Sequence, residues 1–125
     1  MAGKIVADTL EHSTAGSVDT QYVVNGSEKV WMNFNGTGTV AIRDSLNTSS
    51  ITDVSTGRYR PNYTNSFNYA GDYAFHVTSG VLASTWGIQQ VQLGTSSSTE
   101  FILYTPSAVT TDNSIVPCSA RGDLA

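Results

Sequence analysis

Two histidines, His12 and His76, and one cysteine, Cys118, are the side chains best suited to hold a metal or move a proton near neutral pH. They lack the i, i+4 histidine pair or Cys-x-x-Cys spacing that presets a zinc site, so no metal is expected. His76 alternates with apolar neighbours in Tyr73-Ala74-Phe75-His76-Val77, the position of a half-buried structural residue. The serines include no Gly-x-Ser-x-Gly elbow. Gly36-Thr37-Gly38 lacks the third glycine and the following helix of a phosphate loop, and it reads as a hairpin turn. Ten carboxylates are scattered, with no pair whose spacing sets them face to face at the ~5–10 Å that glycoside hydrolysis requires. What remains is recognition without catalysis: no enzyme and no cofactor.

One stretch has the composition of a recognition surface. Between Asn62 and Tyr73, the aromatic residues Tyr63, Phe67, Tyr69 and Tyr73 stand among Asn62, Asn65, Asn68 and Asp72. Aromatic faces stack on sugar rings while amides and carboxylates bond their hydroxyls, so a host-surface glycan is one expected ligand. The same mixture also packs a loop over a core edge or fills a protein interface. Trp31, Phe101 and Tyr104 are expected as interface side chains. Arg58 and Arg60 share one strand face, where cross-strand pairing with Asp44 or Asp53 is the expectation. Arg121-Gly122-Asp123 matches an integrin tripeptide, but a chance match in a terminal turn is the simpler reading. Asn25, Asn35, Asn47 and Asn62 each begin an Asn-x-Ser/Thr pattern, which Ser and Thr, at about a quarter of the chain, make common by chance.

The elements that must position these residues read as strands. Val30, Met32 and Phe34 fall on one face, Asn35-Gly36-Thr37-Gly38 turns the chain, and Val40 and Ile42 resume the alternation. A further run from Ile51 turns at Ser55-Thr56-Gly57 and continues with Tyr59 and Tyr63 on one side and Arg58, Arg60 and Asn62 on the other. Pro61 lacks a ladder donor, which predicts an edge strand or an interrupted one. Tyr73, Phe75 and Val77 alternate cleanly. Trp86 and Ile88 lie on the face opposite Val91 and Leu93, which calls for a bulge or break near Gln89-Gln90. Phe101-Ile102-Leu103-Tyr104 is apolar on both faces, as in a central strand or one covered by a partner. Val116, Cys118 and Ala120 suggest a last strand, confined by Pro117 to an edge or a break.

No window carries sustained helical periodicity with caps. The expected fold is all-β: a single-domain antiparallel β-sandwich or small barrel, with a jelly roll among the open choices. Residues 1–25 hold few apolar anchors and read as an extended N-terminal arm on its own domain or on a neighbour; residues 26–125 form the β domain.

At 125 residues the chain suits one domain with a sizeable core. Its charged fraction of 13% is about half that of ordinary soluble domains, which fits a surface occupied by neighbours. A net charge of −4, with six scattered cations, argues against nucleic acid. Neither a signal peptide nor an apolar run of membrane-spanning length is present, so synthesis in a cytoplasm and no membrane partner are expected.

Trp31, the run Asn33 to Ser45, Ser50-Ile51-Thr52-Asp53, Gly57 and Tyr59 together resemble a module of small structural and tail-fibre-type proteins of marine bacteriophages. The likeness is strongest over about the first sixty residues, and Arg60-Pro61 departs from the proline-free strand of such modules. The resemblance implies a homotrimeric virion protein assembled in the bacterial host. With no long shaft, the chain is expected as a capsid decoration or cement protein that binds the major capsid protein. The alternative is a tail-fibre or receptor-binding module reading a host glycan.

Overall fold

The computed structural model describes residues 3–79 and 88–125, and Trp86 lies outside them. Two four-stranded antiparallel sheets pack face to face as an open sandwich, not a closed barrel. The first sheet joins β3 (Glu28–Asn35), β4 (Ala41–Leu46), β7 (Tyr73–Val77) and β10 (Val116–Gly122) in the order β4-β3-β10-β7. The second joins β5 (Thr48–Ser55), β6 (Arg58–Tyr63), β8 (Ile88–Gly94) and β9 (Thr99–Tyr104) in the order β5-β6-β9-β8. Ahead of them stand a small hairpin, β1 (Thr9–His12) with β2 (Gly16–Asp19), and a short helix, α1 (Thr20–Gly26).

Period-two alternation builds the core. Val30, Met32 and Phe34 point inward from β3, Tyr59, Pro61 and Tyr63 from β6, and Val116, Cys118 and Ala120 from β10. Phe34, Tyr59 and Phe101 meet at its centre, with Phe34 edge-on to Tyr59 at 4.9 Å between ring centroids. β9 lies between β6 and β8 and is buried on both faces, so the doubly apolar run is a central strand. Burial of Phe101 inside the subunit removes it from the expected interface side chains.

Turn chemistry explains the hairpins. Asn35 Nδ2 donates to the Thr37 carbonyl at 2.8 Å while its Oδ1 accepts from Thr37 Oγ1 at 2.8 Å, clamping the β3–β4 connection. Gly57, at φ 69°, turns β5 into β6, and a Cβ there would stand 2.7 Å from the Thr111 backbone. Asn47 alone separates β4 from β5. At φ 56° it swings the chain from one sheet to the other, and its amide group bonds both the N–H and the carbonyl of Asn65.

Both strand prolines sit in interior strands, not at an edge, and each stands where a ladder is interrupted, the second of the two settings expected for them. β6 pairs with β9 only at Arg58 and Tyr59 and touches it again at the Asn62–Ser98 bridge, so Pro61 falls in the gap. Pro117 pairs with Asn33 of β3, but the β7 ladder begins one residue later, at Cys118. The register shift in β8 lies between Val91 and Leu93, just beyond the expected Gln89-Gln90.

The N-terminal segment is more structured than an extended arm. Thr20 closes the hairpin by donating its N–H to the Asp8 carbonyl at 2.8 Å. α1 follows without a side-chain cap and buries no residue. No helix among the described residues is long and apolar enough to cross a membrane.

Candidate functional site

Most of the aromatic loop is internal. Tyr63 and Phe67 are buried, Phe67 stacks on Tyr73, and Tyr63 stands edge-on to both. The Tyr63 and Tyr73 hydroxyls both reach Thr99 Oγ1, and Tyr73 lies 3.0 Å from the Thr95 carbonyl. Burial pushes the Tyr63 phenol above its ordinary range. Tyr63 and Phe67 are therefore structural rings closed to any ligand outside, while half-buried Tyr73 joins their stack and lines an open hollow with Ala70, Gly71, Phe75 and Val91. β9 carries Thr99 inward from the opposite sheet, which fixes the loop's depth.

What the loop displays is Tyr69 and Asp72. Tyr69 is 68% exposed at the head of a turn in which Gly71, at φ 88°, lets the Asp72 N–H reach back to the Tyr69 carbonyl. The C-terminal tail holds the other side: the Asn68 N–H donates to the Asp123 carbonyl, Phe67 bridges Leu124, and the Ala125 N–H donates to the Ser66 carbonyl. The result is a recess of about 340 Å³ lined by Asn25, Asn68, Tyr69, Asp72, Gly122 and Asp123. Asn25 enters it from the last turn of α1.

A second surface lies on the outer face of the first sheet. Strand register sets His76, Ser119, Trp31 and Leu46 in one row across four strands. Small Ser119 leaves a groove of about 280 Å³ between Trp31, 37% exposed, and His76. His76 is exposed, not half-buried as its alternation suggested, because the inward positions of β7 are Tyr73, Phe75 and Val77. Its ring, His12 and buried Cys118 form no metal-holding group among the described residues. Tyr104 ends β9 half-buried, its hydroxyl 3.4 Å from Gln90 Oε1.

Arg58 and Arg60 pair with neither Asp44 nor Asp53. Both guanidiniums close on Glu100, which is 2% exposed beneath them on the outer face of the second sheet. The Arg60 bond, opposed by burial and aided by Arg58, holds the Glu100 carboxyl below its usual range. The β6–β9 pairing places Glu100 across from Arg60, so a partner forty positions away in sequence wins over nearer ones. Tyr59 makes a further buried polar link, donating to the Gly36 carbonyl at 2.8 Å and lying 2.5 Å from Asp112 Oδ1. Asp112 also accepts the Gly57 N–H at 2.6 Å.

The fold and these surfaces define an all-β, antiparallel, sandwich-like protein. No protein family, curated protein or solved structure matches the chain.

Proposed function

We propose that the chain is a non-enzymatic structural protein of a bacteriophage particle, a capsid decoration or cement protein that assembles with copies of itself and binds the major capsid protein. The observation that supports assembly is the state of the N-terminal segment. β1, β2 and α1 bury no side chain, yet Ile5, Val6, Leu10, Val18, Tyr22, Val23 and Val24 all stand exposed there. A segment that folds and leaves its apolar groups in water gains its stabilisation against another chain. The weakly charged surface supports the same reading.

The phage setting and the trimer rest on the resemblance of residues 31–59. In that setting the protein binds only the assembled shell, so each copy stabilises the shell by mass action. The two sheets supply a rigid body, and the N-terminal segment supplies the adhesive surface.

Immunogold electron microscopy of intact virions, with an antibody to this chain, tests the setting. Label spread over the head is the expected result. Label confined to the tail would move the protein to adsorption, and its absence from the particle would remove the structural role.

A further inference from the structure

We propose that the recess beside Tyr69 binds one ring of a neutral saccharide. The inference is independent of where the chain sits in a particle and stands on three observations. The first is that its polar side chains are unengaged. At this end of the sandwich, Asn47, Asn65, Thr95, Ser98 and Thr99 all spend their side-chain groups on internal hydrogen bonds. Asn25, Asn68, Tyr69, Asp72 and Asp123 converge on the recess, and none of their side chains bonds another described residue.

The second observation is rigidity. The Phe67–Tyr73 stack, the Tyr63 edge contact and the tail's backbone bonds hold the backbone under Tyr69 and Asp72. Gly122 completes it: a Cβ at that position would stand 2.8 Å from Tyr73 Cβ, so only glycine lets β10 approach the loop this closely. A loop backbone held in this way loses little conformational freedom when a ligand arrives.

The third is chemistry. Asp72 and Asp123 offer acceptors to vicinal hydroxyls, Asn25 and Asn68 offer both donors and acceptors, and the exposed Tyr69 ring offers a face for the C–H side of a pyranose. No cation lines the recess, and its two carboxylates repel sialic or uronic acids. An ammonium ligand would satisfy the carboxylates but leave the amide donors of Asn25 and Asn68 without acceptors. A volume near 340 Å³ lies at the small end of the ~300–1,000 Å³ usual for small-molecule sites, room for one sugar ring and its water.

The test is an amide-resolved NMR titration of the full chain with methyl glucoside, methyl galactoside and methyl N-acetylglucosaminide. N-acetylneuraminic acid, methylammonium and Ca²⁺ are titrated in parallel. Saturable shifts at Asn68, Tyr69, Asp72 and Asp123 with at least one neutral glycoside are expected, with millimolar affinity and a weaker response to the other three probes. Tyr69→Ala and Asp72→Asn, both at exposed positions, should each weaken binding at least tenfold while the rest of the spectrum is unchanged. Trp31→Ala, on the other groove, should leave it unaltered. Absence of shifts with every neutral glycoside, persistence of binding in both recess variants, or stronger binding of the anion, methylammonium or Ca²⁺ would each overturn the proposal.

Discussion

The ring of Phe67 lies on that of Tyr73, centroids 4.3 Å apart and planes 14° from parallel. One ring belongs to a polar loop and the other to the start of β7, so the stack pins the loop to the sandwich. Because Phe67 is buried, Phe67→Ala removes the stack and leaves a cavity. We expect a loss of about 3–5 kcal/mol, read by urea denaturation. The Tyr69 turn should lose order in the same variant, visible as faster amide exchange at Asn68 and Asp72. A near-neutral result would mean that the loop is held by its backbone bonds alone.

The Arg58–Glu100–Arg60 fork predicts an asymmetry. Arg58→Ala leaves Glu100 paired with Arg60 and should cost about 1 kcal/mol, whereas replacing both arginines strands a covered carboxylate and should cost about 3–5 kcal/mol. Since the folded state holds the Glu100 proton affinity down, its stabilisation is complete above the free carboxylate value near pH ~4.3 and is lost as pH falls through the lower folded value. Glu100→Gln should flatten that part of the acid stability profile. An unchanged profile would contradict the pairing.

Tyr59 and Tyr63 predict the alkaline limb. Burial comes first for both, and for Tyr59 the Asp112 carboxylate adds to it, raising each phenol above its ordinary range. Both shifts are upward, so the neutral phenols stabilise the fold fully below pH ~10 and that stabilisation fades as pH rises further. In an ultraviolet titration two tyrosines should ionise only with unfolding. Tyr59→Phe should remove one of them and cost about 1–3 kcal/mol by leaving the Gly36 carbonyl without its hydroxyl donor and Asp112 with the Gly57 N–H alone. Gradual ionisation of both in the folded state would oppose this picture.

Cys118 packs against the core, and burial pushes its thiol up to about 12. The native thiol is therefore protonated and covered at neutral pH, so a disulfide reagent should modify Cys118 only at the rate of opening or unfolding. The modification rate should rise with urea in step with the unfolding transition. Rapid labelling of the native protein would place the thiol at the surface.

The sequence made local alternation legible, and with it the inward faces of β3, β6, β7 and β10, as well as the doubly apolar character of β9. It also marked the Asn35 and Gly57 turns. What it hid were contacts between strands distant along the chain. Asp44 and Asp53 lie nearer in sequence to Arg58 than Glu100 does, and only the β6–β9 pairing reveals the true partner. Tyr63 shares the inward parity of Tyr59, a signal that it is core, but Phe67 and Tyr73 sit in a polar stretch whose burial depends on Thr99 and the C-terminal tail. Asp123 reaches the recess for the same nonlocal reason. α1 escaped notice because Val23, Val24 and Asn25 favour other conformations and no side chain caps its start. Trp31 stands exposed between the inward positions Val30 and Met32 of β3, whereas Tyr69 and Asp72 stand exposed in the loop between β6 and β7, where no alternation marks them.

Sedimentation velocity on the full chain and on the triple variant Leu10→Ser, Val18→Ser, Val23→Ser tests the assembly reading most directly. All three positions are exposed, so the substitutions leave the sandwich core untouched. The native chain should sediment as a multiple of 13.3 kDa and the variant as a folded monomer of about that mass. A native chain that stays monomeric at tens of micromolar, or a variant that associates as strongly as the native chain, would contradict assembly through the N-terminal segment.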